Sequence, residues 1–194
     1  MKNLKIAVTG GIGSGKSTVC KIIKRLGYPV FSCDEICHDL YKKRRVLRKI
    51  KRLFPTAVLG KVFLKADKKT ISQLTFNNDE NYLALSNLLQ PLIVDKLIKK
   101  MNKVKGVCFA EVPLLFEGNY QNHFDKVIVV LRDLDERKSS VFARSNLDET
   151  TFNAIAKRQV EHDKLDLSGY IVIKNDQSEN HLEKTLKSAL SQIN

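Results

Sequence analysis

The stretch Gly10-Gly11-Ile12-Gly13-Ser14-Gly15-Lys16-Ser17-Thr18 decides the fold of this 194-residue chain. It fills the pattern G-x-x-x-x-G-K-S, which is typical of loops that hold nucleotide phosphates. Apolar residues from Leu4 to Thr9 precede it and predict a strand, whereas the segment from Thr18 to Leu26 predicts a helix. The alternative, a glycine-rich turn with a lysine placed there by chance, does not require this strand–turn–helix context. The stretch therefore predicts a site for a nucleoside triphosphate.

Each position in this loop has its own chemical task. The glycines let backbone N–H groups come close to the phosphates, and Lys16 can reach the β- and γ-phosphate oxygens. The Ser17 hydroxyl can bind Mg²⁺. The residues predicted to bind the nucleotide are Gly11, Ile12, Gly13, Ser14, Gly15, Lys16, Ser17 and Thr18.

The bulk composition limits the class of protein and of partner. A mass of 22.1 kDa fits one α/β domain with an insertion. The formal charge of +13 suits a polyanion, either a nucleic acid or a small substrate with several phosphates, and charge alone does not choose between them. The chain lacks an apolar run long enough for a membrane span or a signal peptide, so we predict a cytoplasmic protein without a membrane partner.

Cysteine and histidine are too scattered to predict a metal site. The four cysteines are Cys20, Cys33, Cys37 and Cys108, and none of them forms a C-x-x-C pair. We predict reduced thiols in or near the core. The four histidines are equally dispersed along the chain.

Short apolar runs alternate with longer helical patterns along the chain. The runs are Ile6 to Thr9, Val30 to Ser32, Val107 to Glu111, Val127 to Leu131 and Tyr170 to Ile173. Strands that alternate with helices form mostly parallel, doubly wound sheets flanked by helices, and we predict this α/β class. Two helix-prone segments, Tyr41 to Met101 and Asp135 to Leu167, are expected to leave the sheet. Because such sheets bind ligands beyond the carboxyl ends of their strands, the residues after each strand are the candidate site residues.

Asp34 follows the second predicted strand and is the first candidate for acid–base chemistry. Phosphoryl transfer needs positioning, charge neutralisation and one group that orients or deprotonates the attacking hydroxyl. A carboxylate just beyond a strand can do this, so Asp34 is a candidate general base. Two alternatives stay open: Asp34 caps the helix that follows, or the neighbouring Glu35 is the base.

Glu111 ends the third predicted strand, in the place of a Walker-B acid. Such an acid can hold Mg²⁺ through a bound water, because Mg²⁺ keeps several waters and takes few protein carboxylates. The alternative, with equal weight, is a hydrogen-bonded carboxylate that fixes a loop. The residues from Pro113 to Phe116 are predicted to form an apolar wall, with Glu117 just beyond it.

Three segments together resemble the dephospho-CoA kinase family. They are the loop from Thr9 to Thr18, the segment around Asp34, and Val112-Pro113-Leu114-Leu115-Phe116-Glu117. Their order and spacing are much more specific than a phosphate loop alone, and the resemblance covers nearly the whole chain. It implies transfer of the ATP γ-phosphate to the ribose 3′-hydroxyl of dephospho-CoA, the last step of coenzyme A synthesis. ATP is then the co-substrate and Mg²⁺ the cofactor.

The resemblance also implies a domain plan. It predicts one P-loop kinase-type domain over residues 1–194, with a core of residues 1–40, 106–134 and 168–194. A helical substrate-binding insertion covers about residues 41–105, and a mobile lid covers about 135–167. The implied partner is a small-molecule substrate, and no nucleic-acid partner is expected. The chain is expected to be a monomer or a weak homo-oligomer.

The family motifs assign roles to individual residues of the acceptor site. Asp34 matches the acid thought to activate the 3′-hydroxyl. The implied substrate contacts are Asp34, Gln90, Pro113, Leu114, Leu115 and Glu117. The chain departs from the family pattern in the insertion, where Gln90 replaces a frequent His and Lys68 replaces a frequent Arg.

Lid arginines of such kinases lie over the transferring phosphate and neutralise its developing charge. The candidates here are Arg144, Arg158 and Lys164. Arg144 is preferred, since Arg144 and Gln159 fit the family's lid pattern, whereas Ser140 and Ile155 stand where basic residues are common. Any of these cations is alternatively a solvated charge on an exposed helix.

Asn175 follows the last predicted strand, in a segment that resembles the family's final strand and its asparagine. It is expected to lie near the adenine of ATP, although an Asn-Asp turn needs no ligand.

Two other functions stay open from the sequence. Another P-loop nucleoside or nucleotide kinase would share the loop but take a different acceptor. A basic NTPase that binds nucleic acid would use the runs Lys42 to Arg45, Lys99-Lys100 and Lys103 to Lys105. These runs fall on predicted helices without interleaved surface aromatics, so they are better explained as solvated faces.

Overall fold

The computed structural model describes residues 3–61, 63–76, 78–145 and 147–193. The strands are β1 (Leu4–Thr9), β2 (Val30–Ser32), β3 (Val58–Leu59), β4 (Lys65–Ala66), β5 (Val107–Glu111), β6 (Lys126–Leu131) and β7 (Ile171–Lys174). The α-helices are α1 (Lys16–Arg25), α2 (Cys33–Leu40), α3 (Arg44–Leu53), α4 (Lys68–Phe76), α5 (Asp79–Met101), α6 (Leu134–Arg144), α7 (Glu149–Lys157) and α8 (Glu179–Ser191). They form two compact units, a first unit within residues 1–31 and 100–194 and a second unit within 32–99.

A five-stranded sheet in the order β2-β5-β1-β6-β7 runs through the first unit. Strand β1 pairs in parallel with β5 and with β6, and β6 pairs in parallel with β7. The predicted parallel, doubly wound class is thus confirmed, and the predicted strand bounds are met to within two residues. Because the strands are parallel, the ends of β1, β5 and β6 lie at the same edge of the sheet, where the loop after β1 begins.

Helices α1 and α8 supply apolar side chains to the main core of the first unit. Leu182, Leu186 and Leu190 repeat every four residues along α8 and are all buried, as the helical period requires. The Ser178 hydroxyl caps α8 by accepting a hydrogen bond from the His181 N–H. The core contains Ile6, Val8, Val19, Cys20, Ile22, Ile23, Phe109, Ile128, Val130, Ile173, Leu182, Leu186, Leu190 and Ile193.

All four cysteines are free thiols, as predicted. Burial raises the pKa of Cys20, and the charge of Glu111 raises it further. Burial also raises the pKa values of Cys37 and Cys108. Thiols that resist ionisation react slowly, so these side chains act as small apolar residues.

The second unit is mainly helical, in agreement with its sequence pattern. Its buried apolar residues come from α2, α3, α4 and α5 and from the turn after α3. They include Ile36, Leu40, Leu47, Ile50, Phe54, Ile71, Ile93 and Leu97. Helix α3 buries one apolar face, and its arginines and lysines lie on the remaining surface. The four residues of the basic run Lys42 to Arg45 are all exposed, which agrees with the interpretation of this run as a solvated face.

A short antiparallel hairpin, β3 and β4, interrupts the helices of the second unit. It was not predicted, since two residues per strand are too few for a period of two to show in the sequence. Gly60 turns the chain with a φ of 83°. A side chain at this position would collide with the Phe63 carbonyl.

In the described part of the chain, no helix combines the length and the apolar character that a membrane crossing requires.

The predicted lid segment contains α6, α7 and a short 3₁₀ turn, His162–Lys164. Asp133 caps α6 and Asp148 caps α7, each by accepting a backbone N–H bond with its carboxylate. His162 is 5% exposed and packs edge-on against the Phe116 ring at 5.7 Å. Burial lowers the pKa of His162 to about 4, and the charge of Lys16 contributes to the lowering.

The buried His162 predicts a pH dependence of folding. The unfolded chain protonates this imidazole below its ordinary pKa of 6.5, whereas the folded chain does so only below about 4. The unfolded state therefore binds more protons between these values, and lowering the pH through this window destabilises the fold. We expect the free energy of unfolding to fall less steeply between pH 7 and pH 4.5 in His162→Gln than in the parent protein. Urea unfolding at several pH values measures both slopes.

His181→Gln is the matched control, because His181 is an exposed residue of α8. It should keep the parent slope. Parallel stability curves for His162→Gln and the parent protein would show that His162 does not titrate differently in the folded state.

Candidate active site

The loop between β1 and α1 has backbone geometry that only glycine accommodates. Gly13 has a φ of 77°, and a Cβ at this position would lie 2.5 Å from the Arg137 carbonyl oxygen. Gly15 has a φ of 95°, and its Cβ would collide with the Asn175 amide. Positive φ and close neighbours both exclude larger residues. Residues from two other parts of the first unit therefore pack directly on the loop.

Lys16 is the first residue of α1 and lies over the loop that precedes it. Its ammonium group donates hydrogen bonds to the carbonyl oxygens of Gly10, at 2.6 Å, and Gly11, at 2.8 Å. Lys16 is only 8% exposed. The carbonyls offset part of the desolvation of this charge, and the ammonium group is held at the position where the motif predicts phosphate oxygens.

Ser17 and Glu111 join the loop to the end of β5. The Ser17 hydroxyl donates to a Glu111 carboxylate oxygen at 2.8 Å. Glu111 is thus hydrogen-bonded, as one interpretation required, but its partner is the predicted Mg²⁺ ligand. A hydroxyl and a carboxylate side by side are the oxygen donors that Mg²⁺ takes in proteins, so the two interpretations are compatible.

The peptide groups of Ile12 connect the loop to the lid segment. The Ile12 N–H donates to the Gln159 side-chain oxygen at 2.7 Å. The Ile12 carbonyl accepts a hydrogen bond from Arg137 Nε at 2.9 Å. Gln159 was noted from the family pattern, whereas Arg137 was missed. Its only sequence signal is a cation in the first turns of the helix that follows β6.

The Val-Pro-Leu-Leu-Phe-Glu motif follows β5 and also contacts the lid segment. A Glu117 carboxylate oxygen accepts a bond from the Val160 N–H at 2.9 Å. The Phe116 ring contacts Tyr170 edge-on at 5.5 Å, in addition to His162. Leu115 is fully buried, whereas Pro113 and Leu114 are partly exposed. Phe116 is partly exposed as well, so Pro113, Leu114 and Phe116 keep accessible surface in the predicted apolar wall.

Asn175 braces the loop from the end of β7. Its side-chain amide donates to the Ser14 carbonyl at 2.9 Å, and its backbone N–H donates to the Leu131 carbonyl at 2.8 Å. A cavity of about 350 Å³ lies next to this residue at the carboxyl ends of β6 and β7. It is lined by Leu131, Arg132, Asp133, Leu134, Asp163, Lys174 and Asp176.

The predicted lid cations occupy different environments. Arg144 is the last residue of α6 and is exposed. Arg158 is partly buried at the end of α7. Lys164 is exposed and forms an ion pair with Glu161 at 2.7 Å. Arg137, which was not among the predicted cations, is a lid cation that bonds to the loop.

Asp34 is the second residue of α2, in the second unit, and its carboxylate is exposed. The Ser32 hydroxyl caps this helix by accepting bonds from the Asp34 and Glu35 N–H groups. The interpretation of Asp34 as the cap is therefore wrong, because Ser32 holds that position.

Other side chains of α2 meet Lys68 of α4. The Lys68 ammonium lies 2.8 Å from His38 Nδ1 and 5.9 Å from the centre of the Tyr41 ring. Residues 34 and 38 lie four positions apart on one side of α2, and Tyr41 directly follows the end of this helix. Gln90 lies in α5 directly before Pro91 and is partly buried.

Comparison with known proteins places these features in a family. A family model described as "Dephospho-CoA kinase" matches residues 4–181. A dephospho-CoA kinase of Thermus thermophilus is 31% identical over 189 residues, which cover 97% of this chain and 91% of that protein. A solved structure from Thermus thermophilus aligns over 100% of both chains with 30% identity and a TM-score of 0.83. The solved dephospho-CoA kinase of Campylobacter jejuni aligns over 97% of this chain and 96% of its own, with 26% identity and a TM-score of 0.65.

The match extends from the first residue of β1 into α8, so it includes the phosphate loop, the motif after β5 and the lid segment. Family match, chain-wide identity and a shared fold agree, and this chain belongs to the dephospho-CoA kinase family.

Proposed function

We propose that this chain transfers the γ-phosphoryl group of ATP to the ribose 3′-hydroxyl of dephospho-CoA, which yields CoA and ADP. The observation that carries this proposal is the arrangement of Lys16, Ser17 and Glu111 at the ends of β1 and β5, in a chain of this family. A nucleoside triphosphate needs a cation beside its phosphates, and its metal ion needs oxygen donors, and both are present at this glycine-rich loop.

ATP binds with its phosphates on residues 11–18 and its adenine in the cavity at the ends of β6 and β7. The cavity volume of about 350 Å³ is within the range of small-ligand sites. Asn175 contacts the loop at Ser14, and its neighbours in sequence, Lys174 and Asp176, line the cavity. This placement supports the predicted position of Asn175 near the nucleotide.

Ser17 and Glu111 would hold Mg²⁺, the first directly and the second through a water. When bound, the ion neutralises charge on the phosphate oxygens. Glu111 keeps the Ser17 hydroxyl oriented by accepting a hydrogen bond from it at 2.8 Å. Lys16 supplies the fixed positive charge beside this pair.

Transfer exchanges one P–O bond for another. The acceptor 3′-oxygen forms a bond to the γ-phosphorus, and the bond from that phosphorus to the β,γ-bridging oxygen breaks. The bond electrons stay with ADP, and the hydroxyl proton passes to the Asp34 carboxylate. Arg144 serves as a lid cation for the charge that develops, and the lid segment excludes water so that ATP hydrolysis does not compete.

The acceptor site uses the predicted contacts Asp34, Gln90, Pro113, Leu114, Leu115 and Glu117. Leu115 contributes by packing under the wall, since its side chain is fully buried. Lys68 offers a cation to the acceptor's phosphates. We place the enzyme in the cytoplasm as a monomer or a weak homo-oligomer, which size-exclusion chromatography tests.

The first test is an acceptor panel. The purified protein with MgATP should form CoA from dephospho-CoA, and mass spectrometry should detect a product heavier by one phosphoryl group. A nucleoside panel and an acceptor-free sample are the controls. Phosphorylation of a nucleoside in place of dephospho-CoA would refute the substrate, whereas ATP hydrolysis that rises with added RNA or DNA would support the nucleic-acid alternative.

Lys16→Ala should abolish most of the transfer. The variant loses the charge that meets the β- and γ-phosphates, and removal of one such stabilising group costs about 10²–10³-fold in turnover. Lys24→Ala is the control, because Lys24 is an exposed residue of the same helix. CoA formation should be unchanged in the control, and circular dichroism should show that both variants fold. Near-normal turnover in Lys16→Ala would contradict the assigned site.

Asp34→Asn tests the general base. The amide keeps the size of the side chain but cannot accept the hydroxyl proton, so kcat should fall by about 10²–10⁴-fold. Asp39→Asn, at the other end of α2, is the control. A fully active Asp34→Asn enzyme would remove the general-base assignment, and a loss confined to Glu35→Gln would transfer it to Glu35.

A further inference from the structure

We propose that Arg137 is a catalytic residue of this enzyme, and that its two terminal nitrogens bind the γ-phosphoryl oxygens during transfer. This inference rests on the phosphate loop as the nucleotide site, but it does not depend on which acceptor the enzyme uses.

The position of the guanidinium group is the first argument. Arg137 Nε donates to the Ile12 carbonyl at 2.9 Å, which fixes the plane of the group against the loop. The rest of the group extends across Gly11, where a Cβ would lie 2.6 Å from Nη2 and 3.3 Å from Nη1. The absence of a side chain at Gly11 therefore leaves room for this guanidinium. Within the described residues neither Nη atom has a hydrogen-bond or ion-pair partner.

The second argument is electrostatic. Lys16 Nζ donates to the Gly11 carbonyl at 2.8 Å, so two cations flank the same glycine. The charges of Lys16 and Arg137 both act on His162, which is buried nearby. Asp133 and Asp163 offset part of the charge of Arg137, yet burial still lowers its pKa. A negatively charged phosphoryl group would relieve this concentration of positive charge.

The third argument is the chemistry of arginine. Its guanidinium has five N–H donors in one plane, and the bond from Nε to Ile12 uses only one of them. The four N–H groups of Nη1 and Nη2 remain, and their planar arrangement allows a bidentate contact with two oxygens of one phosphoryl group. In a loose transition state the charge spreads over the three equatorial oxygens, so such a fork stabilises the transition state more than the ground state.

The departures from the family pattern in the lid fit this assignment. Ser140 and Ile155 lack the positive charge that is common at their positions. Arg137 lies one helical turn before Ser140 on the same side of α6, so it can supply that charge. Arg144 lies seven residues further along the helix, about 10 Å away at 1.5 Å per residue.

The competing interpretation is that Arg137 is only a clamp between α6 and the loop. A clamp would act equally in every bound state, so its loss would lower the affinities for ADP and for a transition-state mimic to the same degree. A phosphoryl ligand would act mainly when charge develops on the transferring group. The two roles therefore separate when ground-state and transition-state affinities are compared.

The experiment compares Arg137→Lys and Arg137→Gln with the parent protein. Arg25→Gln is the matched control, since Arg25 forms surface ion pairs at the far end of α1. The readouts are affinity for MgADP, affinity for MgADP with aluminium fluoride as a mimic of the transferring group, and kcat and KM for ATP. Thermal unfolding reports on whether each variant folds.

We expect both Arg137 variants to bind MgADP within about threefold of the parent, whereas kcat and mimic affinity fall together by about 10²-fold or more, the cost of one lost transition-state donor. Lysine should not restore activity, because it cannot bond to Ile12 and donate to two phosphoryl oxygens in a bidentate way at the same time. Equal losses of ADP and mimic affinity would establish a clamp and overturn the proposal. Unchanged kcat and mimic affinity would also overturn it.

The mimic is measured without an acceptor, so the result stands even if dephospho-CoA is not the substrate. If Arg137→Gln fails to fold, the two affinities of Arg137→Lys decide between the roles. A loss of mimic affinity much larger than the loss of MgADP affinity supports a phosphoryl ligand, and equal losses support the clamp.

Discussion

The hydrogen bonds that hold the backbone of the phosphate loop in place are the constraint on which the site depends. A loop that binds phosphates must present its peptide groups at fixed positions, and partly buried peptide groups need partners. Lys16 from α1, Asn175 after β7, and Arg137 and Gln159 of the lid segment each bond to a different part of this loop. The nucleotide site and the lid segment are therefore one hydrogen-bonded structure.

The parallel sheet makes this convergence possible. Strands β1, β5, β6 and β7 end at the same edge, so Ser17, Glu111 and Asn175 come together although up to 158 residues separate them. Each of these residues lies at or just beyond the end of a strand or at the start of a helix, where rigid elements fix the backbone. Rigid elements thus hold these side chains in place, which reduces the reorganisation that catalysis requires.

Sequence reasoning succeeded where local patterns carry the information. The strand bounds and the position of the loop between a strand and a helix follow from periodicity and turn chemistry. It failed where the information is not local. The cap of α2 proved to be Ser32 rather than Asp34, because both residue types favour that position and only the backbone path distinguishes them. The hairpin of β3 and β4 was too short to show a period.

The sequence by itself determined the fold class, the phosphate loop and the family, because these depend on residue types at short, fixed spacings. Only the tertiary structure decided which side chains meet the loop. Arg137 and Arg144 are alike in sequence as cations of one helix, yet the first bonds to Ile12 and the second is exposed. The sequence likewise left two interpretations of Glu111 open, an acid that holds Mg²⁺ and a carboxylate that fixes a loop. Its 2.8 Å bond to Ser17 is compatible with both. Long-range contacts of this kind depend on how the elements pack around the sheet, and spacing along the chain does not encode that packing.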